Sequence, residues 1–271
     1  MSRIPEALRK INKDEGRAAL VVYVTAGDPD IKKTGRILDA CEKGGADIIE
    51  LGVPFSDPQA DGPTIQAASE RALGAGTKIS QILEVIADFR KRSELPILLF
   101  GYYNPVFAHG PETYCKNAAK AGADGLLIVD LPPEEAEEVR PYAAANGLDL
   151  IYLLAPTSTK ERMQLVSQVA SGFVYYVQVT GVTGARTDLA ADLSPMLKKI
   201  RKQIKLPVGV GFGISTGKQA EAVARDADAV VVGSALVSRI AEHGKSADLE
   251  KVVEGFVREL RQGIECAAKK R

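Results

Sequence analysis

Short runs of Val, Ile and Leu recur along the chain, separated by longer stretches in which apolar residues return every three or four positions among charges. The runs are ALVVYVT (19–25), DIIELGV (47–53), PILLFGY (96–102), GLLIVD (125–130), LDLIYLLA (148–155), FVYYVQV (173–179), PVGVGFG (207–213) and AVVVGSA (229–235). They are almost continuously hydrophobic. A strand with one wet face would alternate, so these read as parallel strands covered on both sides. Segments such as QILEVIADFRKR (81–92) and LEKVVEGFVRELRQG (249–263) have the amphipathic period of helices that would cover them.

Strict alternation of strand and helix implies right-handed crossovers and a parallel sheet. Eight such units in 271 residues predict an α/β fold, a single (β/α)8 TIM barrel spanning 1–271. GGADIIE, AGADGLLIVD and DADAVVVG each place a small residue, Ala and Asp before a strand, a weak internal repeat that favours one closed array. A two-domain dinucleotide enzyme is disfavoured: GVGFGIS (209–215) has glycines without the G-x-G-x-x-G spacing. Ahead of the first strand, Ile4, Leu8 and Ile11 in MSRIPEALRKINKDEG predict an extra amphipathic helix, expected to plug the bottom of the barrel, and not a signal segment.

Charge narrows the partners. Lys+Arg and Asp+Glu both number 35, so nothing draws the chain toward nucleic acid or an anionic membrane, and a small molecule or a protein is the expected partner. Cys41, Cys115 and Cys266 form no C-x-x-C pair, and His109 and His243 stand alone, so neither a disulfide framework nor a metal site is expected. No apolar run reaches the roughly eighteen residues of a membrane span, and the protein reads as soluble and cytoplasmic.

In this fold the active site lies at the C-terminal ends of the strands. Polar residues inside or just after a strand are therefore candidates, while charges on helices are solvated faces by default. That filter selects Glu50, Asp61, Tyr102, Asp130, Tyr175 and Thr183. It selects no lysine, which removes the nucleophile of a Schiff-base aldolase. GFGIST (211–216) and VGSAL (232–236) each lead into helical sequence, and glycine-rich helix starts after strands seven and eight suit a phosphate; tight turns alone would also explain them. TGVTGARTDLAADLSP (180–195) is long for a βα loop and is expected to be a lid, with Gly181 and Gly184 as hinges.

These residues carry a resemblance. ELGVPFSDPQADGPTIQ (50–66), TGVTGAR (180–186), GFGIS (211–215) and GSA (233–235), in that order, resemble the tryptophan synthase alpha chain family, as do VTAGDPD (24–30) and YYNPVF (102–107). The resemblance covers essentially the whole chain. It implies retro-aldol cleavage of indole-3-glycerol phosphate to indole and glyceraldehyde 3-phosphate without metal or organic cofactor. The implied partner is a pyridoxal-phosphate-dependent beta chain in an alpha2-beta2 complex.

By the same carry-over Glu50 is the general acid/base at the bond that breaks, and Asp61 accepts from the indole N–H. Tyr23, Tyr102, Tyr175 and Thr183 meet the substrate, and Gly184, Gly213, Gly233 and Ser234 form the phosphate cradle. Burial between Ile49 and Leu51 is expected to raise the Glu50 pKa, whereas Asp61, among polar loop neighbours, is expected to stay ionised. Asp57, followed by Pro58, is read as shaping the loop. Three positions depart from the family pattern: Gln59 replaces an apolar residue at a position resembling a partner contact, Gln178 replaces a smaller polar residue, and Tyr23 stands where Phe is also usual. A stand-alone lyase, a non-catalytic phosphosugar-binding barrel and another phosphate-binding barrel enzyme are the competing readings.

Overall fold

A computed structural model describes residues 2–177, 189–211 and 213–268. Eight strands, β1 (Ala19–Thr25), β2 (Ile48–Gly52), β3 (Ile97–Gly101), β4 (Gly125–Ile128), β5 (Asp149–Leu154), β6 (Val174–Val177), β7 (Val208–Gly211) and β8 (Ala229–Val232), pair in parallel in sequence order. β8 returns to β1, which closes the barrel. Most of the apolar runs overshoot their strands by one to three residues at one or both ends, because glycines and apolar residues continue into the loops after pairing has stopped.

Alternation along each strand sorts its side chains into two layers. Val22, Ile49, Leu99, Leu126 and Val210 face outward into the large core shared with the helices. Val21, Ile48, Leu98, Leu127, Ile151 and Phe173 fill the barrel interior. The predicted N-terminal plug is present: the helix Ile4–Arg9 and the π-helical turn Lys10–Asp14 send Ile4, Leu8 and Ile11 into that interior layer. Asn12 fastens the plug, its amide donating to the carbonyls of Arg17 and Asp228 at 2.9 and 2.8 Å.

The repeated Asp before a strand has one job in three places. Asp47 accepts the Leu20 amide at 2.8 Å, Asp124 the Ile97 amide at 2.9 Å and Asp228 the Val208 amide at 2.9 Å. Each Asp thus caps the preceding strand of the ladder. Each also holds a guanidinium, from Arg17 and Arg261, from Arg3 and Arg90, and from Arg201 respectively. These aspartates lie at the N-terminal ends of the strands, away from the mouth.

The strand-then-helix rhythm is richer than eight simple units. Two helices follow β2 (Pro63–Gly74 and Ile79–Phe89), β3 (Tyr103–His109 and Pro111–Ala121) and β8 (Ser234–His243 and Leu249–Ala268). The break after β3 is at Gly110, whose φ of +79° ends one helix while Pro111 starts the next. The segment 180–195, expected to be a loop throughout, is helical from residue 189: the helix Leu189–Gln203 starts inside it and carries Pro195. Its Leu- and Ala-rich start favours helix over loop. Residues 178–188 of the expected lid lie outside the described residues.

Candidate active site

On β2 the inward positions are Ile48, Glu50 and Gly52, so strand parity carries a carboxylate into an apolar barrel. Glu50 is 1% exposed, and its Oε1 has no hydrogen-bond partner among the described residues. Its register neighbours are Tyr23 on β1 and Leu98 on β3. Among the described residues no cation stands beside it, and burial pushes its pKa up to about 8. A carboxyl poised there is an acid at neutral pH and a base once it has given its proton away.

Above Glu50 opens a cavity of about 980 Å³, lined by Tyr23, Glu50, Asp61, Phe100, Tyr175, Gly213, Gly233 and Ser234 among others. Asp130 lines it as well, so eight of the eleven residues selected from the sequence meet in one space. Tyr102 does not line it. Thr183 and Gly184, with Gln178, lie outside the described residues.

Asp61 sits half-buried in the loop after β2. The Tyr102 hydroxyl donates to Asp61 Oδ2 at 2.9 Å and accepts from the Ala60 amide at 3.0 Å. From the other side the Gln66 amide donates to the carbonyls of Asp61 at 2.9 Å and Pro58 at 3.4 Å. Burial raises the Asp61 pKa and the Tyr102 hydrogen bond opposes the rise, so this carboxyl is less like a free loop acid than its polar neighbours suggested.

The aromatic walls are keyed to glycines. Tyr23 meets Phe100 edge-on, centroids 5.2 Å apart, and its hydroxyl lies 3.3 Å from Thr25 Oγ1 and directly over Gly52. Tyr175 lies over Gly211 in the same way. Burial raises its pKa far above the usual phenol, and the charge of Glu50 adds to the rise, so it remains a neutral donor at any working pH.

At the ends of β7 and β8 the cavity meets open backbone. Gly213 is exposed with φ +51° and nothing within 4 Å of where a β-carbon would stand. Gly233 precedes the helix Ser234–His243, whose backbone bonds begin with the Leu236 and Val237 amides donating to Gly233 O. The amides of Ser234 and Ala235 at its first turn have no partner within the helix and suit an anion.

Asp130 is exposed at the rim and accepts the Tyr103 amide at 2.7 Å. Asp57 is exposed, takes the Ser56 hydroxyl at 2.5 Å and stays off the cavity wall, as a loop-shaping residue would. Gln59 is exposed on the same loop. Sequence reading missed Phe100 and Gln66. Parity with Leu98 along β3 would have placed Phe100 inside, and the first-turn position of Gln66 after Pro63 was a signal that it reaches back toward the loop.

A buried carboxyl whose Oε1 has no partner among the described residues and a tethered one, sharing a cavity with open helix starts, define an acid–base enzyme of the (β/α)8 class. The sequence matches the family profile described as tryptophan synthase alpha chain over residues 10–265. It is 51% identical to the tryptophan synthase alpha chain of Geobacter sp. (strain M21), covering 97% of this chain and 98% of that one. The fold superposes on tryptophan synthase subunit alpha from Legionella pneumophila str. Paris with a TM-score of 0.91 at 40% identity, covering 98% of this chain and 99% of that chain. It superposes on a chain of Mycobacterium tuberculosis tryptophan synthase with a TM-score of 0.87 at 35% identity, covering 97% and 98%. The chain belongs to the tryptophan synthase alpha chain family. As such it is a lyase that cleaves indole-3-glycerol phosphate to indole and glyceraldehyde 3-phosphate in tryptophan biosynthesis, and its partner is a beta chain.

Proposed function

We propose that Glu50 and Asp61 divide the proton transfers of this cleavage. Breaking the carbon–carbon bond requires a proton on the indole carbon that leaves, loss of the proton from the neighbouring side-chain hydroxyl as it becomes an aldehyde, and relief of the indole N–H. Glu50, protonated at neutral pH, donates to the ring carbon and as a carboxylate takes the hydroxyl proton. Asp61 accepts from the indole N–H. Tyr23 and Phe100 wall the ring, and Tyr175 donates toward the substrate hydroxyls.

The phosphate is held by backbone at Gly213 and Gly233, by the amide and hydroxyl of Ser234, and by Gly184. Thr183, outside the described residues, is assigned its role beside Asp61 by the family resemblance alone. The observation that carries this reading is the buried Glu50, its Oε1 without a partner among the described residues, on the wall of a cavity that also holds Asp61. Glyceraldehyde 3-phosphate formation from indole-3-glycerol phosphate tests it: Glu50→Gln lowers turnover by orders of magnitude with the fold intact, and near-normal turnover overturns the assignment.

The complex is alpha2-beta2, in the cytoplasm, with neither nucleic acid nor membrane as a partner. Phe107, 64% exposed near the mouth, supports a docking face there, with Tyr103 beside it and Asp130, Glu135 and Glu138 around it. Gln59 on the neighbouring loop is a polar contact within that face. Turnover measured with and without a beta chain checks the dependence, and high unassisted activity would favour a stand-alone enzyme.

A further inference from the structure

We infer that Tyr102 is a positioning residue: its hydroxyl ties the Asp61 carboxylate to the end of β3 and fixes which of its oxygens faces the cavity. The tyrosine is 5% exposed and packs against Phe55 with ring centroids 5.2 Å apart, but it does not line the cavity. Contact with substrate, expected from the sequence, is therefore not what its placement serves. Its one hydroxyl makes two bonds to consecutive residues of the loop, accepting the Ala60 amide and donating to Asp61 Oδ2. The platform behind it is firm, since Val53 N donates to Phe100 O at 2.8 Å and Val129 N to Gly101 O at 2.9 Å. Gln66 holds the loop main chain but does not touch the carboxylate. Tyr102 alone makes a hydrogen bond to the Asp61 carboxylate among the described residues, which leaves Oδ1 for the cavity.

The groups around Asp61 make the contact consequential. Tyr23 on β1 and Tyr102 just beyond β3 feel its charge, and Glu50 on β2 and Asp130 beyond β4 line the same cavity. Asp57, on its own loop, is taken up by Ser56. Among the described residues no Lys or Arg pairs with Asp61, so the Tyr102 hydroxyl is the polar group that opposes its burial. Removing the hydroxyl leaves the carboxylate with burial unopposed. Its pKa rises, and the proton stays on to higher pH.

The inference rests on the proton-accepting role of Asp61, and the test separates the two. The pH profile of kcat/KM for glyceraldehyde 3-phosphate formation is measured with the full chain and its beta chain, for the wild type, Tyr102→Phe and Asp61→Asn. Tyr102→Phe is expected to keep its thermal unfolding midpoint and to move the acid limb up by about one pH unit, leaving the alkaline limb in place. A loss of equal size at every pH, or an unchanged profile, overturns the inference, because loosened packing would not move one limb alone. Asp61→Asn is expected to be nearly inactive. If it keeps wild-type turnover, the role of Asp61 falls and takes that of Tyr102 with it. If it is inactive while the Tyr102→Phe limb stays fixed, the Tyr102 role alone falls.

Discussion

The hydroxyl of Tyr23 stands over Gly52 so closely that a β-carbon on that glycine would lie 2.1 Å from the oxygen. Tyr23 pairs in register with Glu50, so Gly52 is the next inward position on the neighbouring strand. Tyr175 repeats the relationship: it pairs with Gly209, and a β-carbon on Gly211 would lie 2.3 Å from its hydroxyl. Tyr23 and Tyr175 thus lean across the barrel wall into a space that only glycine leaves open.

Gly52→Ala and Gly211→Ala are accordingly expected to displace the tyrosines rather than only crowd them. Each should cost about 1–3 kcal/mol in denaturant unfolding, the usual range for an overpacked core, and should reduce turnover as the ring moves into the cavity. The cause is separable from a general backbone effect. In Gly52→Ala combined with Tyr23→Leu, the stability loss should fall short of the sum of the single losses. Strict additivity would show that the ring and the glycine do not compete for one space.

Glu50 should make activity and stability respond to pH in linked ways. With its pKa near 8, kcat/KM is expected to fall as pH rises through that value and the proton it donates is lost. The stability sign follows from linkage. The folded pKa is raised from 4.5 to about 8, so between those values the unfolded chain is ionised and the folded one is not. Stability relative to a permanently neutral side chain is complete below about 4.5 and is lost progressively as pH rises through about 8. Glu50→Gln should therefore unfold at higher denaturant than the wild type at pH 8, by on the order of a few kcal/mol, with the difference vanishing near pH 4. A difference independent of pH would show that the buried carboxyl is not the source.

Gly213 offers a check on the phosphate end. Its φ of +51° strains any side chain, and the space around it is open to the cavity. Gly213→Val is expected to raise KM for indole-3-glycerol phosphate by roughly tenfold or more while kcat changes less, since phosphate binding is shared by ground and transition states. A lowered kcat at unchanged KM would place the phosphate elsewhere.

The barrel was legible because its strands are buried on both faces and say so in continuous apolar runs. Glu50 was legible because a charge inside such a run has nowhere to go but inward or outward, and either is costly unless used. What could not be read lies between strands. The Asp preceding β2, β4 and β8 was visible as a repeat, yet its acceptance of an amide from the previous strand exists only once the strands are neighbours. Tyr102 and Asp61 are 41 positions apart, and nothing local in either segment announces their bond. The segment 180–195 differs from a loop in its second part: hinge glycines mark its start, while residues 189–195 have helical composition and are helical.

The aspartate ring at the opposite end of the barrel should govern stability without touching catalysis. Asp124 accepts four hydrogen bonds, from the Ile97 amide, the Arg3 amide at 3.0 Å, the Arg3 guanidinium at 3.0 Å and the Arg90 guanidinium at 2.8 Å. It is 1% exposed. Asp124→Ala strands a largely buried Arg90 and a strand amide, and should cost about 3–5 kcal/mol, the range for removing one partner of a buried pair. Arg3→Ala removes a more exposed partner, leaves the Arg90 pair standing, and should cost about 1 kcal/mol or less. Because Asp124 lies at the N-terminal end of β4, turnover per folded molecule should stay within about twofold of wild type in both variants. Denaturant unfolding followed by turnover of the folded fraction measures both quantities on one sample, and a fall in turnover matching the fall in stability would mean that the lower ring also shapes the mouth.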